Sequence, residues 1–246
     1  MPVLIITGTG TEVGKTVATA AVAAAAAAAG RSVAVLKPAQ TGVGPAERGD
    51  ADEVARLAGP VTAQELARFP EPLAPATAAL RAGMAPVRPQ DVADAAAKLA
   101  TEHDLVLVEG AGGLLVRLDA AGGTLAEAAR LLRAPVLVVA SAGLGTLNTT
   151  ELTARELRSR ELDLLGVVIG SWPREADLAS RCNLADLPAV AGAPLLGALP
   201  EGAGALAPDA FRAAAPTWLA PRLHGDWDAE SFTTREAPAP FAEGRG

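Results

Sequence analysis

The sequence predicts an α/β protein built on one doubly wound, mainly parallel sheet with helices on both faces. Three observations carry that expectation. Short apolar runs recur along the 246 residues without polar alternation, stretches of helical period lie between several of them, and polar, glycine-bearing segments follow the runs. In an open parallel sheet, ligands sit beyond the carboxyl ends of the strands, so those following segments are the candidate site.

The elements follow in chain order. The run Val3–Thr7 enters a glycine-rich turn and then a helix over Lys15–Ala29. That helix is rich in alanine, interrupted by Thr19 and ended by Gly30-Arg31. It is too short and small-sided for a membrane span and reads as a helix lying close on a sheet. A second strand, Val33–Lys37, ends at Lys37-Pro38, and the Gly/Pro-rich stretch 42–49 reads as a loop. Val92, Ala95, Ala96 and Leu99 give Asp91–Ala100 a helical period. Further strands are expected at Leu105–Glu109, Val136–Ala140, Leu164–Ile169 and Leu195–Leu199, with a helix over Asn148–Arg160. Asn148 is placed to cap that helix, with Glu151 as its capping partner. The domain is expected to span 1–220, followed by a polar, mobile tail over 221–246.

Composition excludes several classes. The chain is 50% hydrophobic and 20% charged, ample for a core and far from a disordered composition. Its net charge of −7 argues against a nucleic-acid backbone as partner, since such binding relies on clustered Lys and Arg. The single cysteine, Cys182, has no partner for an internal disulfide, which suits a reducing cytoplasm. With it, His103 and His224 are too few for a Cys/His zinc site. The Met1–Ile6 start carries no basic flank and reads as no signal peptide, and no membrane association is expected.

The segment Thr7-Gly8-Thr9-Gly10-Thr11-Glu12-Val13-Gly14-Lys15-Thr16 joins a strand to a helix. Gly14-Lys15-Thr16 is the end of a phosphate-binding loop. In such a loop backbone N–H groups cradle phosphates, the lysine reaches the terminal phosphates, and the hydroxyl serves Mg²⁺. The glycine spacing is one residue longer than the strict pattern, counting from Gly8. The fold expected is therefore P-loop NTPase-like. Leu105–Glu109 is an apolar strand ending in an acid, the pattern of a carboxylate held beside Mg²⁺, and Gly110, Gly112 and Gly113 allow close approach of a ligand. A second oxygen ligand is available from Asp50 or Asp52, either of which could instead cap the helix that follows. Lys37 would add a second cation beside the phosphates.

Together these pieces resemble the dethiobiotin synthetase family. The resemblance rests on Thr7–Thr16, Lys37-Pro38 with Gln40-Thr41-Gly42, Asp50-Ala51, Val108–Gly113, Leu144–Asn148, and Pro194–Gly197 before Leu199-Pro200, in family order over roughly 1–220. It implies an ATP- and Mg²⁺-dependent ring closure of 7,8-diaminopelargonic acid with CO₂, through a carbamate and a carbamic-phosphoric anhydride. It implies that Glu12, Val13, Gly14, Lys15, Thr16 and Val17 wrap the phosphates, and that Lys15 and Lys37 face the reacting groups. It assigns Mg²⁺ to Thr16, Asp50 and Glu109, with Asp52 in reserve for Asp50. Gly110, Ala111 and Gly112 would border the nucleotide, as would Gly170, Ser171, Leu199, Pro200 and Glu201 on the adenine side. Gly170-Ser171 offers no base-reading side chain where some members have Asn-Asp. Thr41, Leu147 and Asn148 would bind the diamine, the last two from the second subunit of a homodimer.

Two rivals share the fold. A ParA/MinD-like ATPase switch would carry a lysine four residues before Gly14, where this chain has Gly10. A related amidating or acyl-transferring enzyme would need a glutaminase-type Cys/His pair, and Cys182 lies in a polar, helix-like stretch.

Overall fold

The computed structural model describes residues 2–238. Seven strands form one sheet in the order β3-β2-β4-β1-β5-β6-β7. They are β1 (Val3–Gly8), β2 (Val33–Thr41), β3 (Thr62–Phe69), β4 (Leu105–Gly113), β5 (Val136–Ala140), β6 (Leu164–Trp172) and β7 (Leu195–Pro200). Every pairing between them is parallel. The helices are α1 (Lys15–Ala28), α2 (Asp50–Ala58), α3 (Pro75–Ala82), α4 (Pro89–Leu99), α5 (Leu125–Leu132), α6 (Thr146–Ser159), α7 (Leu178–Ala191), α8 (Pro208–Ala214) and α9 (Ala229–Glu236).

The non-alternating runs have the expected cause. On β1, Leu4 and Ile6 enter the core with α1 and α2, while Val3 and Ile5 enter the one with α4 and α5. Both faces are dry, so polar alternation would leave unsatisfied groups inside. The alanines of α1 let that helix lie close against the sheet, and its residues 18–26 are all buried. Alanine is also the strongest helix former.

The strands reach further than expected. β2 runs on to Thr41, so Lys37 and Pro38 lie inside it rather than at its end. Its pairing with β4 stops at Leu36, just before Pro38, which has no N–H to give to a ladder. β3 lacked any apolar run and was absent from the expected elements. Among the described residues it is an edge strand paired only to β2, so most of its residues stay half-exposed, and half of them are polar. Asn148 is not the cap of α6. Gly145, with φ 90°, occupies that position, and Asn148 lies within the first turn. A left-handed residue is needed there, and glycine takes it without steric cost.

Part of the segment expected as a tail, as far as residue 238, packs against the domain. Leu219 bridges Gly197 on the β7 edge, and the Trp227 N–H returns to the Leu219 carbonyl at 3.0 Å. Trp227 is buried, and the Phe232 ring sits 5.4 Å from Trp172 and 5.3 Å from Trp227. A few aromatic anchors among polar residues hold the segment, a pattern that average composition hides. The remainder of the expected tail, 239–246, lies outside the described residues. Trp227→Ala should lower unfolding stability by about 3 kcal/mol, the usual cost of emptying an aromatic core position, as read by denaturant titration. A cost near zero would mean that the segment adds nothing to the domain.

Candidate active site

The carboxyl ends of β1, β2 and β4 converge on a cavity of about 480 Å³. It is lined by Glu12, Gly14, Lys15, Thr16 and Val17 of the glycine loop and α1, by Lys37, Gln40 and Thr41 of β2, and by Asp50, Glu109, Ala111 and Gly112. The crossing order explains the meeting. β4 lies between β1 and β2, so the ends of three strands distant in sequence become neighbours.

Glu109 is the hub. It is 1% exposed, and its Oε1 accepts hydrogen bonds from Thr16 Oγ1 at 3.0 Å and from Lys37 Nζ at 2.8 Å. Lys37 Nζ also pairs with Asp50 Oδ2 at 2.5 Å and donates to the Gly110 carbonyl at 3.3 Å. Burial works against the Lys37 ammonium, but Glu109 and then Asp50 outweigh it and hold its pKa above the ordinary lysine value. Lys37 is therefore a fixed positive charge at neutral pH.

Lys15 is in the opposite condition. Burial, followed by repulsion from Lys37, lowers its pKa despite the attraction of Glu109 and Asp50. Its Nζ donates to the Gly10 carbonyl at 2.8 Å. A buried ammonium resting on a carbonyl is a site prepared for an added anion, and a triphosphate supplies one.

The donor set fits a hard divalent cation. The Glu109 Oε2 atom is buried and has no hydrogen-bond partner among the described residues. It stands with the Thr16 hydroxyl and the Asp50 carboxylate in one cavity, an all-oxygen set suited to Mg²⁺ that keeps waters and phosphate oxygens as its other ligands. Asp52 is committed elsewhere. It accepts from the Gly49 N–H at 2.9 Å and from Arg68 Nη2 at 3.4 Å. Of the two candidate acids, Asp50 is the one on the cavity wall.

The residues expected on the adenine side lie outside that cavity lining. Trp172 pairs with Pro200 in register, which brings Gly170-Ser171 beside Leu199–Glu201 at one rim. Leu199 is fully buried in the core. Gly170 touches the phosphate loop itself. A Cβ there would lie 2.0 Å from the Val13 carbonyl oxygen, and one on Gly14 would lie 2.5 Å from the Gly170 carbonyl oxygen. Leu147 and the exposed Asn148 also fall outside the cavity of their own chain. Gln40 was missed as a side chain with work to do. Its Oε1 accepts from the Asp50 N–H at 2.8 Å, a contact that no local motif announces.

Residues 3–206 match a family model described as an AAA domain. A protein of Streptomyces avermitilis named ATP-dependent dethiobiotin synthetase BioD is 79% identical over 238 residues, 97% of this chain and 100% of that protein. One of the same name from Streptomyces coelicolor is 76% identical over the same shares. Among solved structures, the cell division ATPase MinD of Pyrococcus furiosus superposes with a TM-score of 0.56 at 20% identity, covering 87% of this chain and 97% of that one. A ParA family ATPase from Chlorobium tepidum gives 0.55 at 15% identity, covering 95% and 98%. At those identities the two ATPases share the fold alone. The high identity over almost the whole length is with the synthetases, and the chain belongs to the ATP-dependent dethiobiotin synthetase family.

Proposed function

We infer that the protein closes 7,8-diaminopelargonic acid and CO₂ into dethiobiotin, with ATP converted to ADP and phosphate. The observation that carries this reading is the gathering of Lys15, Lys37, Thr16, Asp50 and Glu109 around one cavity in a chain of this family. One amine of the substrate takes up CO₂ and loses a proton, giving a carbamate. A carbamate oxygen attacks the γ-phosphorus, and the bond to ADP breaks. The second amine then attacks the carbonyl carbon, loses a proton and expels phosphate, which closes the ring.

No covalent bond to the protein is required, so its contribution is position and charge. The loop N–H groups of Glu12 to Val17 hold the phosphates. Lys15 follows the γ-phosphoryl group, and Lys37 offsets the charge that builds on carbamate and phosphoryl oxygens. Thr16, Asp50 and Glu109 would hold Mg²⁺, which would supply charge neutralisation of the phosphates. Gly110, Ala111 and Gly112 flank the nucleotide, with Gly170, Ser171, Leu199, Pro200 and Glu201 around the base. Thr41 offers its hydroxyl to the diamine.

The assembly proposed is a homodimer in which Leu147 and Asn148 of one subunit complete the diamine site of the other. Support comes from their position away from the cavity of their own chain, and from Leu144 at 89% and Leu152 at 60% exposure nearby. Exposed leucines before and within α6 suit burial against a second copy. Asn148→Ala should raise KM for the diamine about tenfold, the loss of one hydrogen bond to a charged group, while leaving ATP affinity unchanged. Equal effects on both substrates would remove Asn148 from the diamine site. The compartment proposed is the cytoplasm, in keeping with the lone, exposed Cys182; no described helix is long and apolar enough to cross a membrane.

The test is direct. Purified protein is mixed with ATP, Mg²⁺, bicarbonate and the diamine, and the cyclic urea is sought by mass. Product that requires all four components supports the reading. ATP turnover without the diamine, and no urea, would overturn it.

A further inference from the structure

The 42–50 loop carries Asp50 to the cavity, and its anchorage comes from outside the motifs. Arg68, on the polar edge strand β3, reaches across it. Its Nη1 donates to the Gly44 carbonyl at 3.0 Å and to the Glu47 carbonyl, while Nη2 meets Asp52 at 3.4 Å and Glu65 at 2.8 Å. Gln40 holds the other end through the Asp50 N–H, and its Nε2 donates to the Thr41 carbonyl at 3.3 Å. Between them lies Gly49. A Cβ on Gly49 would lie 2.3 Å from Glu65 Oε1, 2.9 Å from Arg68 Nη2 and 3.0 Å from Gln40 Oε1. Three side chains thus close on the residue that precedes Asp50.

We propose that Gln40 and Arg68 are positioning residues that hold the 42–50 loop so that the Asp50 carboxylate stays on Lys37 at the metal side of the cavity. The proposal rests on Asp50 serving the Mg²⁺–nucleotide site, as inferred above. The physical need is plain. Asp50 is the most exposed member of the Lys37 cluster, with a side chain 37% exposed against 4% for Lys37 and 1% for Glu109. A half-exposed carboxylate where a loop enters a helix would lose its geometry to thermal motion unless the backbone on both sides were tied. The planar guanidinium can serve several acceptors at once in fixed directions, whereas a lysine at position 68 would serve them poorly.

The test uses the full chain and a non-hydrolysable ATP analogue. Calorimetry measures how much Mg²⁺ tightens analogue binding in wild type, Arg68→Met, Arg68→Lys, Gln40→Leu, Asp50→Asn and the double variant of Arg68→Met with Asp50→Asn. Each latch variant should weaken the Mg²⁺-dependent gain about tenfold, as loss of supporting partners around metal ligands does. Arg68→Lys should not restore it. In the Asp50→Asn background, Arg68→Met should add almost nothing, because the residue it positions is already gone. Arg56→Ala, which breaks the Arg56–Glu53 pair on the same helix, should change the melting temperature but not the Mg²⁺ gain.

Full additivity of Arg68→Met and Asp50→Asn would overturn the proposal, as would a Mg²⁺ gain that Asp50→Asn leaves intact. If Arg68→Met fails to fold, Gln40→Leu is set against Asp50→Asn in the same way and decides the matter. The binding readout does not involve product, so a failed latch is distinct from a failed assignment of the reaction, which would show as absent dethiobiotin in the wild type.

Discussion

Replacing Lys37 by alanine should reduce dethiobiotin formation by about two to three orders of magnitude, while ATP binding stays measurable. The Lys37 ammonium is 2.8 Å from Glu109 and 2.5 Å from Asp50, and it is held permanently charged by them. In the proposed reaction it faces the carbamate and phosphoryl oxygens, so its loss would remove a charge that is worth most when those oxygens carry most of theirs. The phosphate loop and Lys15 are untouched and keep the nucleotide. A second consequence follows from burial. Glu109, at 1% exposure, would lose its cation, and removing one partner of a buried pair costs about 3–5 kcal/mol. Without nucleotide, the variant should therefore melt earlier than the wild type, and Mg²⁺ should return part of the difference. Single-turnover assays and thermal melts check both. Near-normal turnover would remove Lys37 from the chemistry.

Gly170→Ala should abolish ATP binding more completely than changes to several residues that face the ligand. Here the backbone of β6 rests directly on the backbone of the phosphate loop. The added methyl would fall 2.0 Å from the Val13 carbonyl oxygen and 2.7 Å from Val139 Cγ1. Neither partner can yield cheaply, since Val139 is in the core of β5 and Val13 adjoins Gly14, whose φ is 89°. The loop must move, and its N–H groups then miss the phosphates. Overpacking alone costs about 1–3 kcal/mol. The loss of aligned donors should weaken ATP binding by about a hundredfold or more, on the scale of two to three lost hydrogen bonds to charged oxygens. Calorimetric titration with ATP reads the result. A wild-type affinity would show that the contact is dispensable.

Much of the site was legible before any fold was known, because its chemistry is local. Gly14-Lys15-Thr16 carries its own strand-to-helix geometry, and Glu109 ends a run too apolar to be anything but a buried strand. Other features depended on groups far apart in the chain. Asp50 and Asp52 are two residues apart on one helix turn, and residue type alone does not separate them. Arg68 and the Gly49 N–H bind Asp52, which leaves Asp50 to Lys37. The strand β3 escaped notice because an edge strand needs no apolar run. The packed segment after residue 220 escaped because two aromatic rings, not a pattern, hold it. Asn148 looked like a cap, and the true cap position fell to Gly145 because the turn there demands a positive φ.

By itself, then, the sequence determined the parallel sheet, the phosphate loop and the chemical kinds gathered at its rim. Buried strands and phosphate cradles need particular residue types at short spacings, and short spacings are written in the chain. Tertiary structure alone decided which acid meets Lys37, that β6 braces the phosphate loop, and that an arginine on the sheet edge secures the loop bearing Asp50. Those are contacts between distant segments, and only the order in which strands cross can bring them within a few ångströms.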